Sequence, residues 1–302
     1  MERTNPVKGV LKNLVSLLPD KAFLRLRYHV EMGRRLDLNN PKTMNEKLQW
    51  LKLYDRNPLY TALVDKIQMK EFIKKKIGEE YVAKTLGVWK SFDEIDFGML
   101  PERFVLKTNH SGGNTGVEVC KDKAHLDLQA VRRKMERSLR TDIYKLYREW
   151  PYKNVPRRIF AEEYLEDPMN GELTDYKFYC FDGYVDAVML CLDRMSGSPK
   201  FYFFDKEWRL RRYNRMGKEV PEGFTLPRPK NMDRMFDIAS QLSKGIPFVR
   251  VDMYNIGGRI IFGEMTFYPA SGFDRNRLPE TDQYFGNLIN LKLCSDTLPL
   301  ND

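Results

Sequence analysis

The chain has 302 residues, of which 42% are hydrophobic and 31% charged, as expected for a globular protein with one large or two modest domains. We find no run of 18 apolar residues and no signal peptide, which argues against a membrane-spanning protein. The net charge of +9 indicates an anionic partner without identifying it.

The distribution of cysteines, histidines and basic residues further limits the class of protein to which the chain can belong. The four cysteines are dispersed without a CxxC pair, which predicts reduced thiols in a cytoplasmic protein. Three histidines are too few and too scattered for a zinc site. Basic residues are spread along the chain without a zinc-finger, basic-zipper or RNP signature, so we expect no sequence-specific nucleic-acid partner. Nucleotide phosphates and acidic glycans fit the charge equally well.

The N-terminal region is predicted to be helical. Residues 7–18 place apolar side chains at helical spacing, which favours an amphipathic helix packed on the rest of the protein. The alternative is peripheral contact with an anionic membrane, which would place the protein at the inner face of the membrane. A basic helix follows over 19–35, and Thr43 with Glu46 has the spacing of a capping box that starts another helix.

A longer helix is predicted from Tyr60 to Ile77, ending before Gly78. It contains the pair Asp65-Lys66, for which a surface ion pair is the default interpretation and a functional role the alternative.

The first glycine-rich loop lies between two short strands. An apolar strand over Phe104–Leu106 leads into Lys107, and Val117–Cys120 returns as a strand. Glycines let a backbone approach a phosphate, and a lysine adds a positive charge. The loop has neither the P-loop nor the Rossmann spacing. It therefore suggests a flap over phosphates, although an ordinary hairpin loop has the same appearance.

Two further segments are predicted to be extended. Residues 158–165 form a strand on which Glu162 and Glu163 point to opposite faces, so that one can face a pocket. Residues 174–188 form a hairpin with Asp182-Gly183 at its tip. On its first strand one face carries Asp175, Lys177 and Tyr179, for which a solvated face is the commoner interpretation.

The basic segment 206–215 interleaves arginines with aromatic residues. It could grip a sugar or phosphate, but a solvated edge strand is an equally good interpretation. The helix predicted over 232–244 presents an apolar face.

A hairpin over residues 248–272 holds the most informative pattern. A three-residue loop over 256–258 would pair Arg250 with Glu264 and Asp252 with Phe262. Arg250, Asp252, Glu264 and Thr266 would then share one face, where two carboxylates suit a hard cation such as Mg²⁺. The alternative is a solvated face with a cross-strand Arg–Glu pair. A two-residue loop would place the two carboxylates on opposite faces.

Several of these motifs together resemble the TupA-like ATP-grasp family of teichuronopeptide and polysaccharide biosynthesis. The matching segments are FVLKTNH with its glycine loop, AEEYL with DYKFYCFDG, FVRVDMY with FGEMTFYPASG, and NNPKTMNEKLQW with LVDK. They cover residues 35 to 290 in order. The resemblance implies an α+β ATP-grasp fold with ATP held between two subdomains. It also implies a short helical region over 1–60 and subdomains over 61–158 and 159–302.

The resemblance also implies residue roles. Lys107 and the flap residues Ser111, Gly112, Gly113 and Asn114 would contact phosphates. The adenine hinge would comprise Glu162, Glu163, Tyr164 and Leu165. Asp175 and Lys177 would face ribose and phosphates, and Arg194 would be a catalytic arginine at the end of the following strand. Arg250 would lie near the transferred phosphate, with Mg²⁺ held by Asp252 and Glu264.

Thr266 departs from the asparagine that many ATP-grasp enzymes carry, which puts the second metal ligand in question. The family reaction implied is an ATP- and Mg²⁺-dependent carboxylate–amine ligation through an acyl phosphate. The expected substrates are a uronic acid of a capsule or other surface polysaccharide and an amino acid or small amine. The alternatives are a glycosyltransferase, against which the chain has no Asp-x-Asp motif, and a non-catalytic nucleotide-binding module.

Overall fold

A computed structural model of the protein describes residues 17–113, 115–167, 173–193 and 197–297. These residues form two antiparallel sheets with helices packed around them, which confirms the predicted α+β class. The helices are α1 (Asp20–Met32), α2 (Met44–Tyr54), α3 (Leu59–Val64), α4 (Lys66–Ile77), α5 (Leu128–Arg140), α6 (Ile143–Tyr147), α7 (Arg215–Glu219), α8 (Met232–Ser243) and α9 (Pro279–Leu288).

The sheets differ in size and in the part of the chain that builds them. One has four strands in the order β1-β4-β2-β3, and the other has six in the order β10-β9-β5-β6-β7-β8. The strands are β1 (Thr85–Trp89), β2 (Phe104–Thr108), β3 (Val117–Cys120), β4 (Ile159–Glu163), β5 (Asp175–Phe181), β6 (Tyr184–Leu192), β7 (Lys200–Phe204), β8 (Leu210–Arg211), β9 (Val249–Ile256) and β10 (Arg259–Thr266).

Each sheet covers its own core. Helix α8 buries its apolar face against the six-stranded sheet, where Phe236 meets Phe178 of β5 edge-on at 5.1 Å between ring centroids. Helix α5 packs Val131 and Met135 against the four-stranded sheet. Both helices therefore lie on the sheet face opposite the polar side chains that the sequence analysis singled out.

Helix α2 begins with the predicted capping box. Thr43 accepts a hydrogen bond from the Glu46 amide, and the Glu46 carboxylate accepts one from the Thr43 amide. The helix predicted over Tyr60–Ile77 is instead two helices, because Asp65 adopts an extended conformation between them. Its carboxylate accepts a hydrogen bond from the Ile67 amide and so caps α4.

The hairpin of β9 and β10 differs from the predicted one in its loop. The loop has two residues, Gly257 and Gly258, with φ of 59° and 101°, left-handed values that a two-residue hairpin turn requires. By itself this loop would have put the two carboxylates on opposite faces. A β-bulge at Gly263 inserts one residue into β10 and reverses the alternation, so that Glu264 pairs with Asp252.

The predicted pairing of Arg250 with Glu264 and of Asp252 with Phe262 is therefore wrong, because Arg250 pairs with Thr266 and Phe262 with Met253. The loop and the bulge offset each other, so the expected shared face is present. The tip Asp182-Gly183 of the β5–β6 hairpin is as predicted, with φ of 48° and 83°.

Some predicted features fall at the limits of the described chain. All but the last two residues of the segment 7–18 lie outside it, as do Asn114 and Arg194. The basic segment contributes β8, a two-residue strand at the edge of the six-stranded sheet, as the edge-strand interpretation expects. Among the described residues, no helix combines the length and apolar character needed to cross a membrane.

Candidate active site

A lysine at the start of α4 contacts both halves of the candidate site. The Lys66 amino group lies 3.6 Å from a carboxylate oxygen of Glu264 on β10 and donates a hydrogen bond to the backbone carbonyl of Ser111, at the start of the glycine loop after β2. Lys66 therefore joins the six-stranded sheet to the glycine loop of the four-stranded sheet, and the surface ion-pair interpretation of Asp65-Lys66 is wrong.

The four-stranded sheet contributes a group that we call the lysine–glutamate group, formed by Lys70, Lys107 and Glu162. The Glu162 carboxylate is buried and pairs with both lysines, with the Lys70 amino group at 2.8 Å. Burial alone would raise the pKa of Glu162, but Lys107 and Lys70 together lower it. The carboxylate therefore stays ionised and fixes two lysine side chains side by side.

The six-stranded sheet contributes the strand-face network of Lys177, Arg250, Asp252 and Glu264. The Arg250 guanidinium binds Asp252 through two hydrogen bonds, from Nε to Oδ1 at 2.7 Å and from Nη2 to Oδ2 at 2.6 Å. Lys177 lies opposite Asp252 on β5 and donates to Oδ2 at 2.8 Å. Asp252 is only 2% exposed, so a solvated strand face is not what these residues form.

Glu264 is the most accessible carboxylate of the network, with 33% of its side chain exposed. It lies 3.6 Å from Arg250 and accepts a hydrogen bond from the Thr266 hydroxyl at 3.3 Å. Burial raises its pKa, but the charges of Lys66, Arg250 and Lys177 outweigh burial and lower the pKa to about 2. Glu264 is thus an anion that a ligand can reach.

The glycine loop follows β2 and is linked to the site by the hydrogen bond from Lys66 to the Ser111 carbonyl. Ser111 is buried, whereas a side chain added at Gly112 or Gly113 would meet nothing within 4 Å. At Gly116 an added Cβ would lie 2.2 Å from the Thr108 hydroxyl, so the loop closes tightly at its end and is open at its tip. Open backbone at the tip is what close approach to a phosphate requires.

The predicted hinge begins at the end of β4. Glu162 faces inward to the two lysines, whereas the Glu163 carboxylate accepts a hydrogen bond from the Lys84 amide at 3.0 Å. The Tyr164 ring lies under the Arg103 guanidinium, 4.8 Å from its centroid, and Leu165 is half-buried. The two glutamates therefore face opposite ways, as the strand alternation predicts.

Sequence reasoning gave Lys66 a functional role only as the alternative interpretation and missed Lys70 as a site residue. Both lie on α4 four residues apart, a spacing that puts side chains on one helix face. The predicted helix from Tyr60 to Ile77 already contained that spacing, but nothing in the sequence indicated that this helix face meets Glu162 and Glu264. Asp175, expected to face ribose, lies 3.3 Å from Lys177.

The described site has one more positive than negative charge. The members are five cations and four carboxylates: Lys66, Lys70, Lys107, Lys177 and Arg250, with Glu162, Asp175, Asp252 and Glu264. Positive charge in a partly buried site favours binding of a polyanion such as a nucleoside triphosphate.

The same site can accommodate a divalent cation. Asp252 and Glu264 are cross-strand neighbours, and with the Thr266 hydroxyl they form an all-oxygen donor set of the kind Mg²⁺ prefers. Among the described residues no group of three His, Cys, Asp or Glu side chains has a metal-binding arrangement. Two carboxylates and one hydroxyl would leave the remaining coordination positions of such an ion to ligand or water oxygens.

The solved structures that match this chain include two ligases, one of them described as an ATP-grasp ligase, and a synthase. These are D-alanine–D-alanine ligase from Bacillus anthracis (16% identity, TM-score 0.42), the ligase PsnB with a precursor variant, Mg and ADP (12%, 0.40), and carboxyaminoimidazole ribonucleotide synthase from Aspergillus clavatus with ATP (12%, 0.41). The matches cover 78%, 83% and 80% of this chain but only 67%, 64% and 53% of those chains. A search of curated proteins gives no match.

A comparison with protein families is more specific. The profile described as TupA-like ATPgrasp matches residues 46–290, from the start of α2 to just beyond α9. That span contains the lysine–glutamate group, the glycine loop, the hinge and the strand-face network. The chain belongs to the TupA-like ATP-grasp family.

Proposed function

We propose that this protein is an ATP- and Mg²⁺-dependent carboxylate–amine ligase that forms an amide through an acyl phosphate. The observation that carries the proposal is the strand-face network, in which Arg250, Lys177, Asp252 and Glu264 gather on one buried face beside the lysine–glutamate group. Phosphoryl transfer depends on positioning and on offsetting negative charge, and this face supplies both kinds of charge at fixed positions.

In this proposal ATP lies between the two sheets. Lys107 and the flap over 111–114 contact its phosphates, residues 162–165 form the adenine hinge, and Asp175 faces the ribose. Lys66 and Lys70 would also contact the phosphates, because their amino groups lie beside Glu264 and Glu162 in the site. The corresponding division places a helical region over 1–60, one subdomain over 61–158 and a second over 159–302. Strand β4 lies at the start of the last range but pairs within the four-stranded sheet of the first subdomain.

Mg²⁺ would be held by Asp252, Glu264 and Thr266, where it would offset charge on the phosphates. Arg250 would stabilise the charge that develops on the transferred phosphoryl group, because its guanidinium is already fixed by two hydrogen bonds and need not reorganise. Lys177 holds Asp252 from the other side and orients it. Arg194 keeps its proposed catalytic role, although it lies outside the described residues.

For the substrates we propose a uronic acid of a capsule or other surface polysaccharide and an amino acid or small amine, in the cytoplasm. The excess of basic residues supports an acidic glycan, and the family to which the chain belongs supports the polysaccharide context.

The test is to incubate the purified protein with ATP, Mg²⁺, a panel of uronic-acid glycans and a panel of amines, and to follow products by mass spectrometry. We expect ADP together with a product heavier than the acid by one amide condensation. Transfer of sugar from a sugar nucleotide without dependence on ATP would contradict the proposal, and ATP binding without an amide product would reduce it to a nucleotide-binding module.

A further inference from the structure

A second charged cluster, buried and separate from the residues above, surrounds the hydroxyl of Ser271. Its oxygen accepts a hydrogen bond from the Lys52 amino group at 2.9 Å and donates one to the Glu149 carboxylate at 2.6 Å. Lys52 is 1% exposed and Glu149 9%, whereas Ser271 is only partly buried. We call these three residues the Lys–Ser–Glu cluster. A hydroxyl that links a buried cation to a buried anion is well placed to pass on a proton.

The backbone that presents Ser271 is strained. Ala270 and Ser271 have φ of 49° and 52°, in the left-handed region that costs a non-glycine residue about 1–2 kcal/mol. Helix α2 holds this loop in place, because Gln49 donates hydrogen bonds to the carbonyls of Ser271 and Gly272, and Lys52 donates another to the Ser271 carbonyl. Strained backbone of this kind is concentrated at active sites and ligand clamps.

The cluster lies next to the strand-face network. The loop over 269–272 follows directly from β10, which carries Glu264 and Thr266. Burial raises the pKa of the Tyr152 hydroxyl well above its ordinary value, and the charges of Glu149 and Glu264 both act on it. One phenol thus stands within electrostatic range of the Lys–Ser–Glu cluster and of the proposed metal strand.

The chemistry of the proposed ligase requires a group of this type. An amine that attacks an acyl phosphate must lose a proton as the amide forms, and a base with a pKa close to the working pH removes it best. Burial raises the pKa of the Glu149 carboxyl, and burial likewise lowers the pKa of Lys52, to about 7. Both shifts bring proton exchange within the cluster closer to neutral pH.

We propose that Ser271 accepts the proton of the attacking amine and relays it to Glu149. The C–N bond forms as the C–O bond to the phosphate breaks and inorganic phosphate leaves. The amine proton moves to the Ser271 oxygen while the Ser271 hydroxyl proton moves to the Glu149 carboxylate. Lys52 is a positioning residue that keeps the hydroxyl directed at Glu149. This inference rests on the proposed ligase activity and assigns the amine side of its site.

The test compares two nucleophiles in Glu149→Gln and Ser271→Gly variants, with the acid and amine found by the panel. Glutamine retains the shape of glutamate, and glycine suits the left-handed backbone at 271, so at least the second variant is expected to fold. The first nucleophile is the amine substrate. The second is hydroxylamine, which is largely unprotonated at neutral pH and whose more acidic adduct loses its proton to water without a positioned base. The matched control is Ser240→Ala, which removes a hydroxyl bonded to the Gly183 carbonyl, away from the site.

We expect each variant to lose about 100-fold or more of its amide-forming rate while hydroxamate formation stays within about threefold of wild type. Amide formation at the wild-type rate in both variants would overturn the relay. An equal loss with both nucleophiles would do the same and would leave the cluster a purely structural role. If wild-type protein produced neither amide nor hydroxamate, the proposed ligase activity itself would be wrong.

Discussion

The two sheets contribute different arrangements of charged side chains to the candidate site. On the four-stranded sheet, one buried carboxylate, Glu162, holds two lysines. On the six-stranded sheet, two cations, Lys177 and Arg250, hold the buried carboxylate Asp252, with the accessible Glu264 beside it. In the proposed function the first arrangement would leave positive charge for phosphates, and the second would offer carboxylate oxygens to a metal. We infer that binding and phosphoryl transfer are divided between the sheets.

The largest effect is expected from Asp252→Asn, which keeps the side-chain shape but removes the charge shared by Arg250 and Lys177. Turnover should fall about 100- to 1,000-fold, because electrostatic stabilisation and a metal ligand are lost together. Nucleotide affinity, measured by calorimetry, should change only a few-fold. The control is Asp205→Asn, which alters an ion pair with Arg209 outside the site. A loss of affinity as large as the loss of turnover would contradict the division between sheets.

The next effect is expected from Lys107→Met, on the other sheet. Loss of a charged hydrogen-bond donor to phosphate costs about 1.5–3 kcal/mol, so the Kd for ATP should rise about 10- to 100-fold. Lys134→Met is the matched control, because Lys134 pairs with Glu118 of β3 at 2.8 Å outside the site. Unchanged affinity in Lys107→Met would remove this lysine from the nucleotide site.

The bulge that brings the carboxylates together can be tested by Gly263→Ala. An added Cβ would lie 3.1 Å from the Asp252 carbonyl oxygen, so we expect a loss of about 1–3 kcal/mol in the free energy of unfolding. Gly112→Ala, whose Cβ would meet nothing within 4 Å, should be nearly neutral in the same denaturant titration. Equal stability of the two variants would show that the close approach at the bulge is not required.

The smallest effect is a pH dependence carried by Glu264. Its pKa falls from an ordinary value of 4.5 to about 2 in the folded protein, so it contributes stability above about pH 4.5 that is lost as the pH falls toward 2. The difference in unfolding free energy between wild type and Glu264→Gln should therefore shrink over that range. A difference independent of pH would show that the cations do not act on this carboxylate.

The sequence correctly predicted that Asp252 and Glu264 share one face of the β9–β10 hairpin, but it did so from an incorrect strand register. Alternation along two strands indicated that Arg250, Asp252, Glu264 and Thr266 share a side, but the loop has one residue fewer than expected and the bulge at Gly263 compensates. Bulges depend on local packing that hydrophobic alternation does not reveal. Two one-residue differences cancelled, so the four side chains share a face as expected although their pairing differs.

Other parts of the site depend on contacts between distant segments. Lys66 and Lys70 could not be placed, because their partners Glu264 and Glu162 lie about 200 and 90 residues away in sequence. The strain at Ser271 was equally invisible, since it is imposed by hydrogen bonds from α2. Periodicity and turn chemistry predict single elements, whereas these features arise only when the elements pack.

The proposed reaction requires that the carboxylate substrate be phosphorylated before the amine attacks. The most direct measurement uses that substrate with ¹⁸O in its carboxylate and follows the label by mass spectrometry during turnover. If both carboxylate oxygens are ¹⁸O, we expect each molecule of inorganic phosphate released to carry one ¹⁸O, transferred from the acid. Unlabelled phosphate, with the ¹⁸O lost from the acid found instead in AMP or in water, would rule out the acyl phosphate.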